Sequence, residues 1–207
     1  MAKTKSSGLY APHPQLAMVQ KWITDLPAKT GRSLDEWIEL AQKKGPAAEK
    51  DRRAWLKQEH KLGTNSATWI AARADGKGLE EDSPEAYLQA AEQWVEAMFS
   101  GAKRELRPIY DVLLRQILDV GKDVKACPGK TGVSIYRKHV FAQIKPTTNS
   151  RVDLGLALEN MKTPKRLVDT GGYEKKDRIT RRIPISKLSE IDAELKKWLV
   201  KAYDMDA

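Results

Sequence analysis

The spacing of apolar residues switches near Gly121, and that switch limits what this 207-residue chain can fold into. As far as Ile117, large hydrophobes recur every three or four residues, the period of a helix with one buried stripe. Beyond Gly121 they alternate with polar residues, the period of a half-buried strand: Val133 to Tyr136, Val140 to Ile144, Val152 to Leu156, and Ile179, Ile183 and Ile185 within residues 178–186. Helical spacing returns at Ile191, Leu195, Trp198, Leu199 and Ala202. The connections are short, which favours antiparallel pairing. The predicted class is α+β: an N-terminal four-helix bundle, then a C-terminal domain whose mainly antiparallel sheet of about five strands is flanked by three helices.

Residues 75–85 break the helical half. They hold two glycines and a single large hydrophobe, Leu79, too little apolar surface to offset the entropy of ordering. The expected division is a flexible N-terminus over 1–13, a helical domain over 14–75, a linker over 76–83 and an α+β domain over 84–207. Within the helical domain, Leu16, Val19, Ile23 and Leu26 share one face, and Ser33 with Glu36 forms a capping box stopped by Gly45-Pro46. A third helix is expected over 47–60, and a fourth over 67–74 capped by Asn65 or Thr64. Ser83 and Pro84 suit the cap and first turn of the next helix. All six tryptophans fall on apolar helix faces, and Trp22, Trp37, Trp55 and Trp69 are expected to fill the core of the small first domain.

No apolar run approaches the roughly 18 residues of a membrane-spanning helix. The basic start lacks the apolar stretch of a secretory signal. With one cysteine, Cys127, the chain has no internal disulfide, and a cytoplasmic protein with no membrane partner is expected. The formal charge is +9. Between Gly121 and Arg182 stand 15 basic and 6 acidic residues, a surplus equal to the whole net charge. Phosphate backbones are held by such cations, and interleaved tyrosines can stack on bases. The candidate nucleic-acid-binding residues are Lys130, Tyr136, Arg137, Lys138, Lys145, Arg151, Arg181 and Arg182. A solvated basic surface is the bland counterpart.

Other motifs carry less. Residues 56–74 have the outline of a helix-turn-helix that would present Asn65, Ser66 and Thr68 to a groove, but Arg73 is the second helix's one cation. Gly129-Lys130-Thr131 precedes a strand rather than a helix, so it reads as a turn instead of a phosphate loop. Gln143 and Lys145, with Asp123 or Asp153, resemble a nuclease metal motif but lack its second carboxylate. His13, His60 and His139 have no zinc spacing, and Cys127 has no evident base. No catalytic residue, metal or cofactor is assigned.

The stretch WITDLPAKTGRSLDEWIELAQKKGP, followed by WLKQEHKLGTNSATWIA, resembles domain-of-unknown-function family 4287. GAKRELRPIYD, SIYRKHVFAQIKP, RVDLGLAL and ELKKWLVKAYD resemble domain-of-unknown-function family 5655. The resemblance implies the two-part organisation and assigns no residue a role. The C-terminal element order is also similar to the YdhG-like proteins, some proposed as iron chaperones. The functional expectation is a non-enzymatic binding module for DNA, RNA or another polyanion. The alternatives are a small-molecule or metal-ion carrier, a metal-dependent nuclease and a protein–protein adaptor.

Overall fold

A computed structural model describes residues 8–207. They divide into two compact units, Pro12–Ala90 and residues 8–11 with Ala91–Ala207.

The helical unit holds α1 (Gln15–Thr30), α2 (Leu34–Lys44), α3 (Glu49–Gln58) and α4 (Thr64–Ala74). Helix α1 runs on past Leu26, the last of the apolar residues on its shared face, with Pro27 inside it, and ends at left-handed Gly31, whose N–H donates to the Pro27 carbonyl. Ser33 and Glu36 close the predicted capping box: the Glu36 N–H donates to Ser33 Oγ at 3.2 Å and the Ser33 N–H to Glu36 Oε2 at 2.7 Å. Leu26, Trp37, Ala41, Leu56, Ile70 and Ala71 form the core, with Trp22 and Trp55 packed against it. The ring N–H groups of half-buried Trp22 and buried Trp37 donate to Ser66 and Thr30, so neither ring leaves an orphaned donor. Two arginines are also buried. Arg52 pairs with Asp75 and donates to the carbonyls of Pro46, Ala47 and Ala71; Arg73 pairs with Asp82 at 2.6 Å. Asp82 belongs to the expected linker, which contains a 3-10 turn over Leu79–Glu81.

The division between the units falls inside α5 (Pro84–Met98), which Ser83 caps by accepting from the Ala86 N–H. A 3-10 helix over Gly101–Leu106 leads into α6 (Arg107–Leu118). The strands are β1 (Lys125–Pro128), β2 (Val133–Tyr136), β3 (Val140–Thr148), β4 (Arg151–Leu156), β5 (Val168–Asp169) and β6 (Arg181–Ile185), and α7 (Ala193–Asp204) ends the fold. The sheet runs β1-β2-β3-β4-β6-β5, antiparallel throughout. Six strands replace the expected five or so; the alternation does not mark β1, whose burial runs unbroken from Ala126 to Pro128, or β5, which has only two residues.

Ile135, Ala142, Ile144, Leu154, Leu156, Ile183 and Ile185 join Leu113 and Ile117 of α6 and Leu195 and Leu199 of α7 in one core. Each leucine or isoleucine among them contributes about 1.5–3 kcal/mol on burial. The face of the sheet toward the helices is therefore filled by side chains. Of the expected flexible N-terminus, residues 1–7 lie outside the described residues. Ala11 donates its N–H to the Ala126 carbonyl at 2.9 Å, and the Tyr10 and Tyr110 hydroxyls share a hydrogen bond.

Strand parity puts Ser134, Gln143, Gly155 and Arg182 opposite that core. The register Ser134↔Gln143, Gln143↔Gly155 and Gly155↔Arg182 makes them one row across four strands. Lys145 and Asp153 begin the neighbouring row.

Candidate nucleic-acid interface

The eight basic and aromatic candidates do not share one surface. Lys145, Arg151 and Arg182 gather on the outer face around Asp153, and half-buried Tyr136 lies on β2. Lys130 is exposed at the β1–β2 turn and Lys138 at the β2–β3 turn. Arg137 turns the other way: it pairs with Asp123 at 2.9 Å, donates to the Tyr203 carbonyl and lies 4.1 Å over the Tyr203 ring. Arg181 is 6% exposed, on the face of Ile183 and Ile185. It donates to the carbonyls of Thr180 and Met161 and pairs with Asp169, so it holds the loop over residues 157–180 rather than facing solvent.

A trough of about 530 Å³ opens beside the sheet. Lys103 enters it from the 3-10 helix, Lys130 and Thr131 from the β1–β2 turn, Lys145 and Thr147 from the end of β3, and no carboxylate lines it. The β3–β4 register shifts between Lys145 and Thr148, where Pro146 has no N–H to offer the ladder. The freed Pro146 carbonyl accepts from Lys103 Nζ at 2.6 Å, which fixes that lysine at the trough edge. Lys130 Nζ stands 5.9 Å from the Trp94 ring. Three cations in one concavity without an acid concentrate positive potential there. Lys103 lies outside the basic segment that drew attention in the sequence, and nothing in its local pattern singles it out.

An adjoining groove of about 480 Å³ shares Lys145 and Thr147 and has Ser134, Gln143 and Gly155 among its lining. Ile179 sits directly on Gly155, where an added Cβ would come within 2.6 Å of the Ile179 Cγ2. Arg178 is fixed at the rim by donating to the Val140 carbonyl and to Asp206. Asp153, 5% exposed, accepts from Thr147 at 2.8 Å and from Arg151 and Arg182 at 3.3 Å each. Arg151 Nε lies 2.8 Å from Asp153 Oδ1 but out of line for a hydrogen bond. Two guanidiniums thus occupy the carboxylate that a nuclease would turn toward a metal, and its cross-strand partners are Lys145 and Pro184. Among the described residues no three His, Cys, Asp or Glu side chains gather to hold a metal ion.

The remaining motifs have structural surroundings. Gly129 donates its N–H to the Gly132 carbonyl, closing the predicted turn. Ser66 is engaged by Trp22 and Arg73 by Asp82, so the helix-turn-helix outline loses a reading residue and its cation. Burial pushes the Cys127 thiol up to about 12 despite nearby Lys125, which keeps it out of the nucleophilic range. His60 packs edge-on between Trp37 and Trp55.

No helix among the described residues is long and apolar enough to cross a membrane. No curated protein and no solved structure matches the chain. Residues 18–76 match a family described as a domain of unknown function, DUF4287. Residues 95–206, more than half of the chain and the whole of the sheet with α6 and α7, match a second domain of unknown function, DUF5655, and the chain belongs to that family.

Proposed function

We propose that this protein is a non-enzymatic binding module for nucleic acid, holding the phosphate backbone in the trough of Lys103, Lys130 and Lys145. The observation that carries this reading is the convergence of three lysines from three separate elements on a concavity with no carboxylate in its lining. Ammonium groups so placed neutralise successive phosphates and release their counterions, which makes affinity fall with salt. Thr131 and Asn149 in the same lining add neutral donors suited to phosphate oxygens.

The test is fluorescence anisotropy with labelled single-stranded DNA, RNA and duplex DNA across a salt series. Three phosphate contacts on a single strand give a slope of log affinity against log salt of about −2. Reversing Lys130 and Lys145 together, K130E with K145E, is expected to weaken binding at least about tenfold and flatten that slope. Both side chains are exposed, and circular dichroism of the double variant checks that the fold is kept. Unchanged binding by the double variant would remove the trough from the reading.

A further inference from the structure

The groove next to the trough has a different chemistry. Its floor is the cross-strand pair Ser134 and Gln143. Among the described residues neither side chain makes a hydrogen bond, although Gln143 is only half exposed and its carboxamide offers both donors and an acceptor. Gly155, with no side chain, lets Ile179 close directly onto β4 beside Gln143, and Ile179 and Val140 supply apolar walls. Lys145 belongs to groove and trough alike. A flat polar ring between apolar walls, read by an amide and tethered to a phosphate one step away, fits this floor and these walls; of the two carboxylates in the lining, Asp153 is occupied by Arg151 and Arg182, and Asp177 accepts from the Ile179 N–H.

Resting on the backbone reading above, we infer that the groove receives one unpaired base of a single strand, with Gln143 and Ser134 hydrogen-bonding its Watson–Crick edge while the adjacent phosphates lie along the trough. A glutamine amide matches the adjacent donor and acceptor of a base edge. In a duplex that edge is paired and stacked, whereas a single strand can turn a base out into a pocket. The ligand class is therefore single-stranded nucleic acid, and duplex engages the trough alone.

The experiment compares three probes of equal length on the full chain: a single strand, the same strand with abasic sites, and the duplex, in DNA and RNA forms. The intact strand is expected to bind about three- to tenfold tighter than the abasic strand at the same salt, the worth of one or two net hydrogen bonds, and tighter than duplex. Gln143→Ala, or Ser134→Ala as a second variant, is expected to shrink that ratio toward one while the salt slope stays unchanged. Reversing Lys130 is expected to do the opposite, flattening the slope and keeping the ratio. Equal binding of intact and abasic strands by the wild-type protein overturns the base pocket, as does a ratio that survives both floor variants. In either case a persisting salt slope leaves the backbone reading standing. Absence of salt-dependent binding to every probe overturns that reading and this one with it. The DNA and RNA arms show which sugar the site accepts.

Discussion

Asp206 is 4% exposed, so its charge must be matched inside the fold. Burial pushes its carboxyl up, but the His139 N–H at 2.7 Å, the His139 ring at 3.0 Å and Arg178 at 2.7 Å outweigh that and hold it below its ordinary 3.8. A carboxylate depressed on folding stabilises the protein above its unfolded value, and that contribution is lost as pH falls through the lowered folded value. Asp206→Asn keeps the shape and removes the charge, so it is expected to cost about 1.5–3 kcal/mol at neutral pH, the worth of a hydrogen bond to a charged group. Urea denaturation of both proteins from pH 7 to pH 3 should show the gap closing below about pH 4, as the wild-type carboxyl takes up its proton. A gap that stays constant with pH would mean that Asp206 acts by shape alone. The same scale shows what a charge count misses. Arg181 and Arg182 are adjacent cations, yet β-strand parity sends Arg181 to the side of Ile183 and Ile185 and leaves Arg182 outside. That parity was present in the sequence; the partners that make burial of Arg181 tolerable, Asp169 and two carbonyls, come from a loop that no local pattern places.

Elements were legible where the apolar period was long and less so where backbone geometry overrode it. The capping box of α2, the start of α5 and the alternating strands follow their sequence signals, while α1 continues through Pro27 and β5 has only two residues. The grooves depend on features between elements: the Pro146 irregularity in β3, and the seating of residue 179 over β4. Gly155 is the hinge of the second. An alanine there would place its Cβ 2.6 Å from Ile179 Cγ2, a methyl fixed to a branched carbon that cannot swing clear. Gly155→Ala is expected to destabilise by about 1–3 kcal/mol, the usual range for overpacking. It should also displace the groove wall. Because the clash is with one side chain, Ile179→Ala in the same protein should recover much of that loss, a coupling that a double-mutant cycle in urea measures directly. If Gly155→Ala costs the same with either residue at 179, the contact is not what requires glycine.

Across the whole molecule, charge and core divide along the same line. Residues Pro12–Ala90 carry 12 basic and 12 acidic side chains, so the entire +9 belongs to the rest of the chain, 25 basic against 16 acidic. The two hydrophobic cores share no residue, and every member of the first lies between Trp22 and Ala74. A unit this small has little apolar area to set against its chain entropy. Here large rings compensate: Trp22 meets Trp69 edge to face at 4.7 Å, and Trp37 and Trp55 bracket His60. A fragment of residues 12–83 keeps all of that core and ends before α5 begins. It is therefore expected to give a helical circular-dichroism spectrum and a cooperative melt. With 12 basic and 11 acidic side chains it has almost no net charge to attract a phosphate backbone, and Arg52 and Arg73 are already consumed by Asp75 and Asp82. Anisotropy with the single strand at low salt should then show no binding by the fragment where the full chain binds. Salt-dependent binding by a folded fragment would move the nucleic-acid surface to the helical unit and deprive the lysine trough of its role. A fragment that stays unfolded would instead show that four rings in four short helices do not suffice, and that this core needs the rest of the chain to form.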